Sequence, residues 1–426
     1  MSWLLFAVLT AACLVMLVHG LAERGRFLQF PFLAAAAFLA FIVPQIPGLV
    51  ESRFLPEAAT AKTLFLSVLC LLMCWVGWNV GMRSSAPSTT AFSERRLLHV
   101  ALVLSLAGAY FYHKFGELPD DERLRGMLTG TAVAYLFFAK LLTYGLAIAL
   151  LCFMQRPSRL ALAIIAFDAL FVLERIFIAG RRSETAEFLL LIALALWFQK
   201  RWAVPRAAMA AGVALGLLST LVAEEYRQAT HYSSPPDWDA IARIDIGEKW
   251  DRLLMEGGSE MRNAVMAIDR IDREKTFNYG MGHWNSLVFA YVPAQLVGNS
   301  IKNALVIPVP EVFERDYAPT TGSTATGMTD AFASFWFFGC LKFFAIALVL
   351  GWVYASAMRG NTIMQLVYML SAMPSILVIT HFTNEIVIAW VHIAIFFIPA
   401  LLYSRVRTSR PVAGSPGVSQ LETVAG

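Results

Sequence analysis

The sequence predicts an all-α protein: a bundle of helices that crosses a membrane about eleven times and carries one large outward loop. Hydrophobic residues make up 58% of its 426 positions and charged residues only 15%, whereas soluble domains carry roughly 25% charged residues. Apolar runs of about 18 residues or more recur, which is the pattern of membrane-spanning helices. The polar residues are concentrated in residues 224–330, which hold 16 of the 30 acidic residues.

The apolar runs divide the chain into four regions. The spans are expected at 2–20, 27–46, 62–82, 97–113, 128–154, 160–179, 185–199, 206–223, 331–357, 362–380 and 385–403. Residues 1–223 thus form an N-terminal membrane region, 224–330 the loop, 331–404 a C-terminal membrane region and 405–426 a disordered tail.

Basic residues in the connectors predict the orientation of the bundle. They cluster after every odd-numbered span: Arg24 and Arg26; Arg83, Arg95 and Arg96; Arg156 and Arg159; Lys200, Arg201 and Arg206; Arg359; Arg405, Arg407 and Arg410. Short loops rich in lysine and arginine remain in the cytoplasm. The large loop is therefore expected to face outward and the C-terminal tail to be cytoplasmic.

Charge and cysteine content exclude several functions. A net charge of +4 provides no electrostatic footprint for nucleic acid, so no nucleic-acid partner is expected. All five cysteines lie in predicted spans and none in the loop, which argues against a disulfide framework or a thiolate metal site.

Two amphipathic helices are predicted within the loop. Residues 238–256 place Trp250, Leu253 and Leu254 on one face, which can lie on the membrane surface. A second helix begins at Ser259, whose hydroxyl is expected to cap it. Its buried face is predicted to consist of Met261, Ala264, Val265, Ile268 and Ile271. Arginines on the opposite face either interact with solvent or bind a ligand.

Charged residues within spans are costly in lipid and therefore mark candidate functional positions. Four such residues are Lys140, Asp168, Glu174 and Arg175. Lys140 and Glu174 reach similar depths in adjacent spans, which predicts an ion pair. Arg175, Arg181 and Arg182 break the positive-inside pattern at the outer end of the sixth span. They either contact lipid headgroups or bind an anion such as pyrophosphate.

Two loop segments, 278–285 and 320–330, combine glycine with aromatic or hydroxyl side chains. His283 is a candidate general base for a sugar hydroxyl, and Tyr279 and Trp284 can pack on sugar rings. The hydroxyl-rich run ends at Asp330, directly before the ninth span. This junction predicts either a phosphate-binding helix N-terminus or a helix cap.

Three segments carry a combined pattern: 179–183 followed by the apolar run 188–196, 301–317 with its Pro308-Val309-Pro310, and 327–332 leading to Phe337-Phe338-Gly339. Together they resemble the bacterial O-antigen and oligosaccharide repeat-unit polymerases of the Wzy type. Two positions differ from the family pattern. Val309 stands where an arginine is frequent, and Asp330 where glutamate is usual.

The resemblance implies a polytopic glycosyltransferase of the bacterial inner membrane. Such enzymes transfer a growing glycan from undecaprenyl pyrophosphate to a hydroxyl of a new lipid-linked repeat unit. The related ligases act without a metal, so no cofactor is expected. The expected partners are the lipid-linked oligosaccharide and membrane lipids, and a chain-length regulator protein is one candidate partner.

The resemblance also suggests residue roles. Substrate binding is assigned to arginines that hold the pyrophosphate and to aromatic side chains that contact sugars: Arg175, Arg181, Arg182, Arg262, Arg270, Arg273, Tyr279 and Trp284. His283 is the first candidate for the general base, followed by Asp330, Glu225 and Glu385.

Three other functions remain open. An O-antigen ligase shares the donor but transfers the chain to lipid A-core. A flippase or other transporter of lipid-linked sugars would distribute polar residues down several spans. A membrane scaffold would tolerate loss of the arginines.

Overall fold

The computed structural model describes residues 1–84, 91–119, 130–178, 180–230, 237–314, 316–319 and 323–406. Within these ranges the chain is almost entirely helical. Two strands of two residues each, β1 (Ala91–Phe92) and β2 (Arg405–Val406), form an antiparallel pair. Seven helical segments are long and apolar enough to cross a membrane. The prediction of an all-α membrane protein is confirmed, and the count of about eleven spans remains a prediction.

Each predicted span corresponds to at least one helix. The helices before the loop are α1 (Ser2–Ala22), α2 (Phe30–Ala37), α3 (Ile46–Glu51), α4 (Glu57–Arg83), α5 (Glu94–Gly116), α6 (Thr131–Ala139), α7 (Leu141–Gln155), α8 (Arg159–Phe177), α9 (Arg182–Lys200) and α10 (Arg206–Thr230). Those that follow are α11 (Trp238–Ala242), α12 (Ile246–Glu256), α13 (Ser259–Glu274), α14 (Met281–Tyr291), α15 (Ala294–Val297), α16 (Asn299–Leu305), α17 (Thr326–Phe335), α18 (Cys340–Met358), α19 (Thr362–Thr380) and α20 (Asn384–Ser404).

The parallel helices α4 and α18 pack closely against each other. A Cβ atom on Gly77 would lie 2.3 Å from the carbonyl oxygen of Phe344, and one on Gly81 would lie 2.1 Å from that of Leu348. Glycine is therefore required at both positions for the backbones to approach. Small residues serve this purpose in membrane helix pairs because lipid provides no hydrophobic driving force between helices.

Contacts between connectors show which of them lie at the same end of the bundle. At one end, β1 pairs with β2, Arg201 donates to the carbonyl of Met358 at 2.9 Å and Arg206 to that of Ala22 at 3.1 Å. These contacts join connectors that carry the basic clusters. At the other end, the loop packs on the bundle through an ion pair between Lys62 and Asp272. The basic connectors and the polar loop thus occupy opposite ends.

The second predicted span is broken, and the break supports the loop. After α2 the chain forms a π turn (Phe38–Ile42) and a 3-10 turn (Val43–Gln45) before α3. Pro44 contributes to this irregularity because it lacks a backbone N–H. The Gln45 side chain then accepts a hydrogen bond at 3.0 Å from the backbone N–H of Met261 in α13.

This contact corrects the predicted cap of α13. The cap residue is Gly258, which has no side chain, while the Ser259 hydroxyl donates to Glu260 at 3.2 Å. A Cβ atom at Gly258 would lie 2.0 Å from Oε1 of Gln45, so the glycine makes room for a cap supplied by a distant residue. The five apolar residues predicted to form the buried face of α13 are all buried.

The single helix predicted over 238–256 is instead two helices. α12 begins after Asp245, whose carboxylate accepts from the backbone N–H of Glu248 at 3.1 Å. This local cap interrupts the predicted helix because aspartate favours helix starts over helix interiors. α12 packs against α3, so its apolar residues Trp250, Leu253 and Leu254 are half-buried.

Candidate functional site

The candidate site forms where the predicted ninth span is interrupted. α17 ends at Phe335, a 3-10 turn follows (Trp336–Gly339), and α18 begins at Cys340. Trp336 has φ of 53°, a left-handed conformation that costs energy for a side chain with a Cβ atom. A Cβ atom at Gly339 would lie 1.9 Å from the carbonyl oxygen of Ala331. The break therefore folds the start of α18 back against α17.

This folding brings Lys342 to Asp330. Asp330 lies in the second turn of α17, so it is neither the helix cap nor the phosphate-binding N-terminus that the sequence predicted. Its Oδ2 atom lies 3.6 Å from Nζ of Lys342, which also donates to the hydroxyl of Ser334 at 2.6 Å. The Asp330 and Lys342 side chains are only 14% and 15% exposed, and pairing offsets part of the cost of burying each charge.

Thr383 connects this pair to His283. The Thr383 hydroxyl and backbone N–H both donate to Oδ2 of Asp330, the latter at 3.2 Å. The hydroxyl has only one proton, so the contact of 3.0 Å between Thr383 Oγ1 and His283 Nε2 requires the histidine to donate. The network therefore assigns the proton to Nε2. Nδ1 carries the lone pair and is buried without a hydrogen-bond partner among the described residues.

Burial lowers the pKa of His283 below its ordinary value of 6.5, because the charged imidazolium is less well solvated there. The Asp330 carboxylate opposes this effect and the Lys342 ammonium reinforces it. His283 is consequently neutral at pH 7, as a hydrogen-bond relay or a general base requires. We refer to Asp330, Lys342, Thr383 and His283 as the Asp330 cluster.

Residues 381–385 comprise the turn before α20 and the first two residues of that helix, and they connect this cluster to other predicted site residues. We refer to this segment as the 381–385 turn. Asn384 donates to the hydroxyl of Ser286, one turn beyond His283 on α14. Lys140 is close enough to Glu385 to act on it electrostatically. Burial and, secondly, the charge of Arg182 lower the pKa of His381. The 381–385 turn thus lies between the Asp330 cluster and the arginines at the junction of α8 and α9.

Those arginines differ in exposure. Arg175 is buried, with its guanidinium 3.3 Å from a carboxylate oxygen of Glu184 and over the ring of Tyr112 at 5.7 Å. Arg181 and Arg182 are exposed at the start of α9. We refer to these two residues as the arginine connector. Arg175 is thus held within the protein, whereas the arginine connector is accessible to a ligand.

The predicted ion pair between Lys140 and Glu174 is wrong. Glu174 instead accepts a hydrogen bond from the Tyr112 hydroxyl, and no contact joins it to Lys140 in the described parts of the chain. Matching depth along two helices places residues at the same level, but the rotation of each helix decides which side chains face each other. Here Glu174 faces α5.

The loop arginines are engaged in contacts of their own. Arg262 donates to the carbonyl of Glu256 at 3.0 Å. Arg270 lies 3.2 Å from the carboxylate of Glu274, and Arg273 lies 2.6 Å from that of Glu314. None of these contacts involves the Asp330 cluster or the arginine connector.

The remaining predicted residues fall into two groups. Tyr279 is 68% exposed, and Trp284 donates to the carbonyl of Leu305 at 2.8 Å, so both lie on the surface beside His283. Glu225 forms an ion pair with Lys249, and both border a separate cavity of about 500 Å³ between α10 and α12. The structure therefore groups His283, Asp330 and Glu385 around one turn and places Glu225 in another region.

A second cavity, of about 550 Å³, opens beside Asp330. Its walls come from α13, α17, the segment before α17 and Phe382 of the 381–385 turn. All described contacts of the Asp330 carboxylate involve Oδ2. Oδ1 has no partner among the described residues and is thus the carboxylate oxygen left to accept a further hydrogen bond.

Two members of the cluster, Lys342 and Thr383, were not predicted from the sequence. Lys342 satisfies the criterion that identified Lys140, namely a charge within an apolar span, and could have been found in that way. Thr383 has no such signal, since a threonine at a helix start is ordinary. Its role depends on the meeting of α17, α14 and the 381–385 turn.

The described residues contain no group of three or more histidine, cysteine, aspartate or glutamate side chains that could hold a metal ion. Comparison of the chain with protein-family models, with curated proteins and with solved structures finds no match in any of the three. The geometry of the site and the sequence motifs therefore carry the functional argument.

Proposed function

We propose that the chain is a bacterial inner-membrane glycosyltransferase that polymerises undecaprenyl-pyrophosphate-linked oligosaccharide repeat units into O-antigen or a related surface polysaccharide. One observation carries this proposal: the 381–385 turn links an exposed arginine pair to a carboxylate that opens into a cavity. Transfer from a diphosphate to a hydroxyl requires cations for the leaving group and a proton acceptor for the nucleophile. The resemblance to Wzy-type polymerases supports the substrate class.

In the proposed reaction, an acceptor hydroxyl in the cavity donates a hydrogen bond to Oδ1 of Asp330. The hydroxyl oxygen attacks the anomeric carbon of the donor, and the bond from that carbon to the pyrophosphate oxygen breaks. The proton moves to Asp330, and the electron pair leaves with the lipid pyrophosphate. The arginine connector stabilises the negative charge that develops there.

This assignment places Asp330 before His283 as the general base. Asp330 lines the cavity and His283 does not, and Nδ1 of His283 is buried. His283 instead donates through Thr383 toward Asp330 and orients it. We therefore assign His283 a positioning role.

In this proposal the loop and the Asp330 cluster face the periplasm, and the C-terminal tail lies in the cytoplasm. The supporting observation is that the basic connectors gather at the end of the bundle opposite the loop, as the positive-inside rule requires of cytoplasmic connectors. A lipid-linked donor in the outer leaflet would reach the site from the membrane.

A transporter of lipid-linked sugars is the second candidate, because polar side chains also meet within the bundle. Ser105 donates to the buried carboxylate of Asp168 at 2.8 Å, and the Tyr144 hydroxyl lies 2.7 Å from Nδ1 of His392. Such contacts occur along substrate and proton pathways. They also stabilise helix packing, so we rank this function below the transferase.

The test is to size the undecaprenyl-linked glycans of cells that lack the protein by mass spectrometry. A polymerase predicts accumulation of single repeat units on the outer leaflet and loss of polymer. Long lipid-linked polymer that never reaches lipid A would indicate a ligase instead. Single repeats confined to the inner leaflet would indicate a transporter, and an unchanged glycan pool would overturn all three.

A further inference from the structure

The cavity beside Asp330 has the size and the lining of a small-molecule site. Its volume of about 550 Å³ lies within the range of about 300–1,000 Å³ that is usual for ligand pockets. Asn263 holds one wall of the cavity in place through three hydrogen bonds. Its amide donates to the Ser323 hydroxyl at 2.9 Å and to the Thr324 carbonyl at 3.0 Å, and its side-chain oxygen accepts from the Tyr317 hydroxyl. This wall is held in place without a ligand.

A second part of the lining offers both a donor and an acceptor. The backbone N–H of Asn278 bonds to the carbonyl of Ala333 at 2.8 Å, which places Asn278 against α17 one turn beyond Asp330. Its side-chain oxygen accepts from Gly280 at 2.9 Å, and its Nδ2 group has no partner among the described residues. Together with Oδ1 of Asp330, this arrangement suits the hydroxyl groups of a sugar, which both donate and accept.

Aromatic rings supply the apolar part of the lining. The rings of Phe313 and Tyr317 lie 5.5 Å apart at an angle of 37°, and Phe382 is 41% exposed where it lines the cavity. Such rings bury the apolar face of a pyranose at little entropic cost. A site that combines aromatic rings with hydroxyl, amide and carboxylate groups is suited to a saccharide.

The charges of the lining restrict which saccharide binds. Among the described residues that line the cavity, the charged ones are Glu311 and Asp330, and both are acidic. Lys342 compensates the charge of Asp330, so Glu311 carries the uncompensated charge among these residues. A uronic acid or phosphorylated sugar would be repelled by Glu311, whereas a neutral sugar would not and an amino sugar would gain attraction. The pyrophosphate of a lipid donor is likewise disfavoured here.

We propose that this cavity binds the sugar of the acceptor repeat unit and selects neutral or amine-bearing sugars against acidic ones. The identification of that sugar as the acceptor depends on the proposed function, whereas the selectivity follows from the cavity alone. Asn278 and Asp330 bind its hydroxyl groups, Phe382 contacts its apolar face, and Glu311 at the exposed rim repels carboxylates.

The test is a titration of the purified full-length protein with three sugars of one ring shape: methyl glucoside, methyl glucosaminide and methyl glucuronide. Binding is measured by saturation-transfer NMR at low salt, with no lipid-linked donor present. We expect the glucosaminide to bind at least as well as the glucoside, and the glucuronide about fivefold more weakly than the glucoside. Equal or tighter binding of the glucuronide would overturn the proposal.

Two variants locate the effect. Glu311→Gln should reduce the discrimination against the glucuronide by about threefold, while the matched Glu248→Gln on α12 should leave it unchanged. Phe382→Ala should weaken the binding of all three sugars. Unchanged binding in that variant would show that the sugars bind elsewhere and would refute the cavity assignment. If the binding pattern holds but the glycan pool of the deletion strain is normal, the proposed function fails and the saccharide site stands.

Discussion

The Asp330 cluster and the arginine connector are linked through the same turn, yet they differ in charge and burial. The first is a buried network whose one open oxygen is an acceptor in an acidic cavity. The second is an exposed pair of cations at the start of a helix. In the proposed reaction, one substrate presents a hydroxyl to the first region, while another presents a diphosphate to the second.

The largest expected effect comes from Asp330→Asn, which retains shape and hydrogen bonding but cannot take a proton. Loss of general base catalysis reduces rates by roughly 100- to 10,000-fold. We expect polymer formation from purified lipid-linked repeats to fall by that factor. Asp316→Asn, at an exposed position before α17, is the matched control. More than half of wild-type turnover in Asp330→Asn would refute the assignment.

Arg182→Ala tests the other region. Removing one cation from a developing negative charge costs roughly 100- to 1,000-fold in turnover, so we expect activity to be nearly abolished while the protein stays folded. Arg182→Lys should recover part of it, because lysine supplies charge without a bidentate fork. Arg252→Ala, at an exposed ion pair on α12, is the control. Wild-type turnover in Arg182→Ala would exclude the role of this residue in donor binding.

Lys342→Met tests the Asp330 cluster through the stability of the protein rather than through its turnover rate. It leaves Asp330 buried without its ammonium partner, which typically costs about 3 kcal/mol or more in the free energy of unfolding. We expect a lower melting temperature in detergent. The double variant Asp330→Asn/Lys342→Met should regain part of the loss, because no charge then remains unpaired. Equal stability of Lys342→Met and wild type would show that the pair is not coupled.

The smallest effect is expected for His283→Gln. Burial lowers the pKa of His283 below 6.5, so the ring is neutral at neutral pH. As pH falls through that lowered pKa, Nδ1 gains a proton, and the new positive charge near Asp330 makes that carboxylate a weaker base. The wild-type rate should therefore decline only below about pH 6.5. The variant should lose roughly tenfold at pH 7.5 and lack this histidine component of the acid limb. An unchanged pH profile would contradict the relay.

Local sequence pattern was sufficient to predict those features in which the polarity of a residue determines its surroundings. Apolar runs predicted the helices, and the 3.6-residue period of α13 predicted its buried face, because burial of apolar side chains dominates both choices. Connector charges predicted which connectors share an end of the bundle. His283 and Asp330 were found because polar groups among small and aromatic residues are unusual between spans.

Local sequence pattern did not predict contacts between residues that are distant along the chain. Gln45 caps a helix that begins at Ser259, and only the break after α2 brings it there. Lys140 and Glu174 match in depth yet face different neighbours. The depth of a residue in the membrane follows from counting residues along its helix. The neighbour that its side chain contacts depends on how that helix is rotated against the next.

The sequence by itself determined that this is an α-helical membrane protein with its polar residues gathered in one late loop, because the hydrocarbon core accepts little else. Only the tertiary structure decided that Asp330 pairs with Lys342 and Thr383 and opens into an acidic cavity. That arrangement depends on the close approach at Gly339 and on the position of the 381–385 turn. These are packing relations between segments up to 100 residues apart, and no local period encodes them.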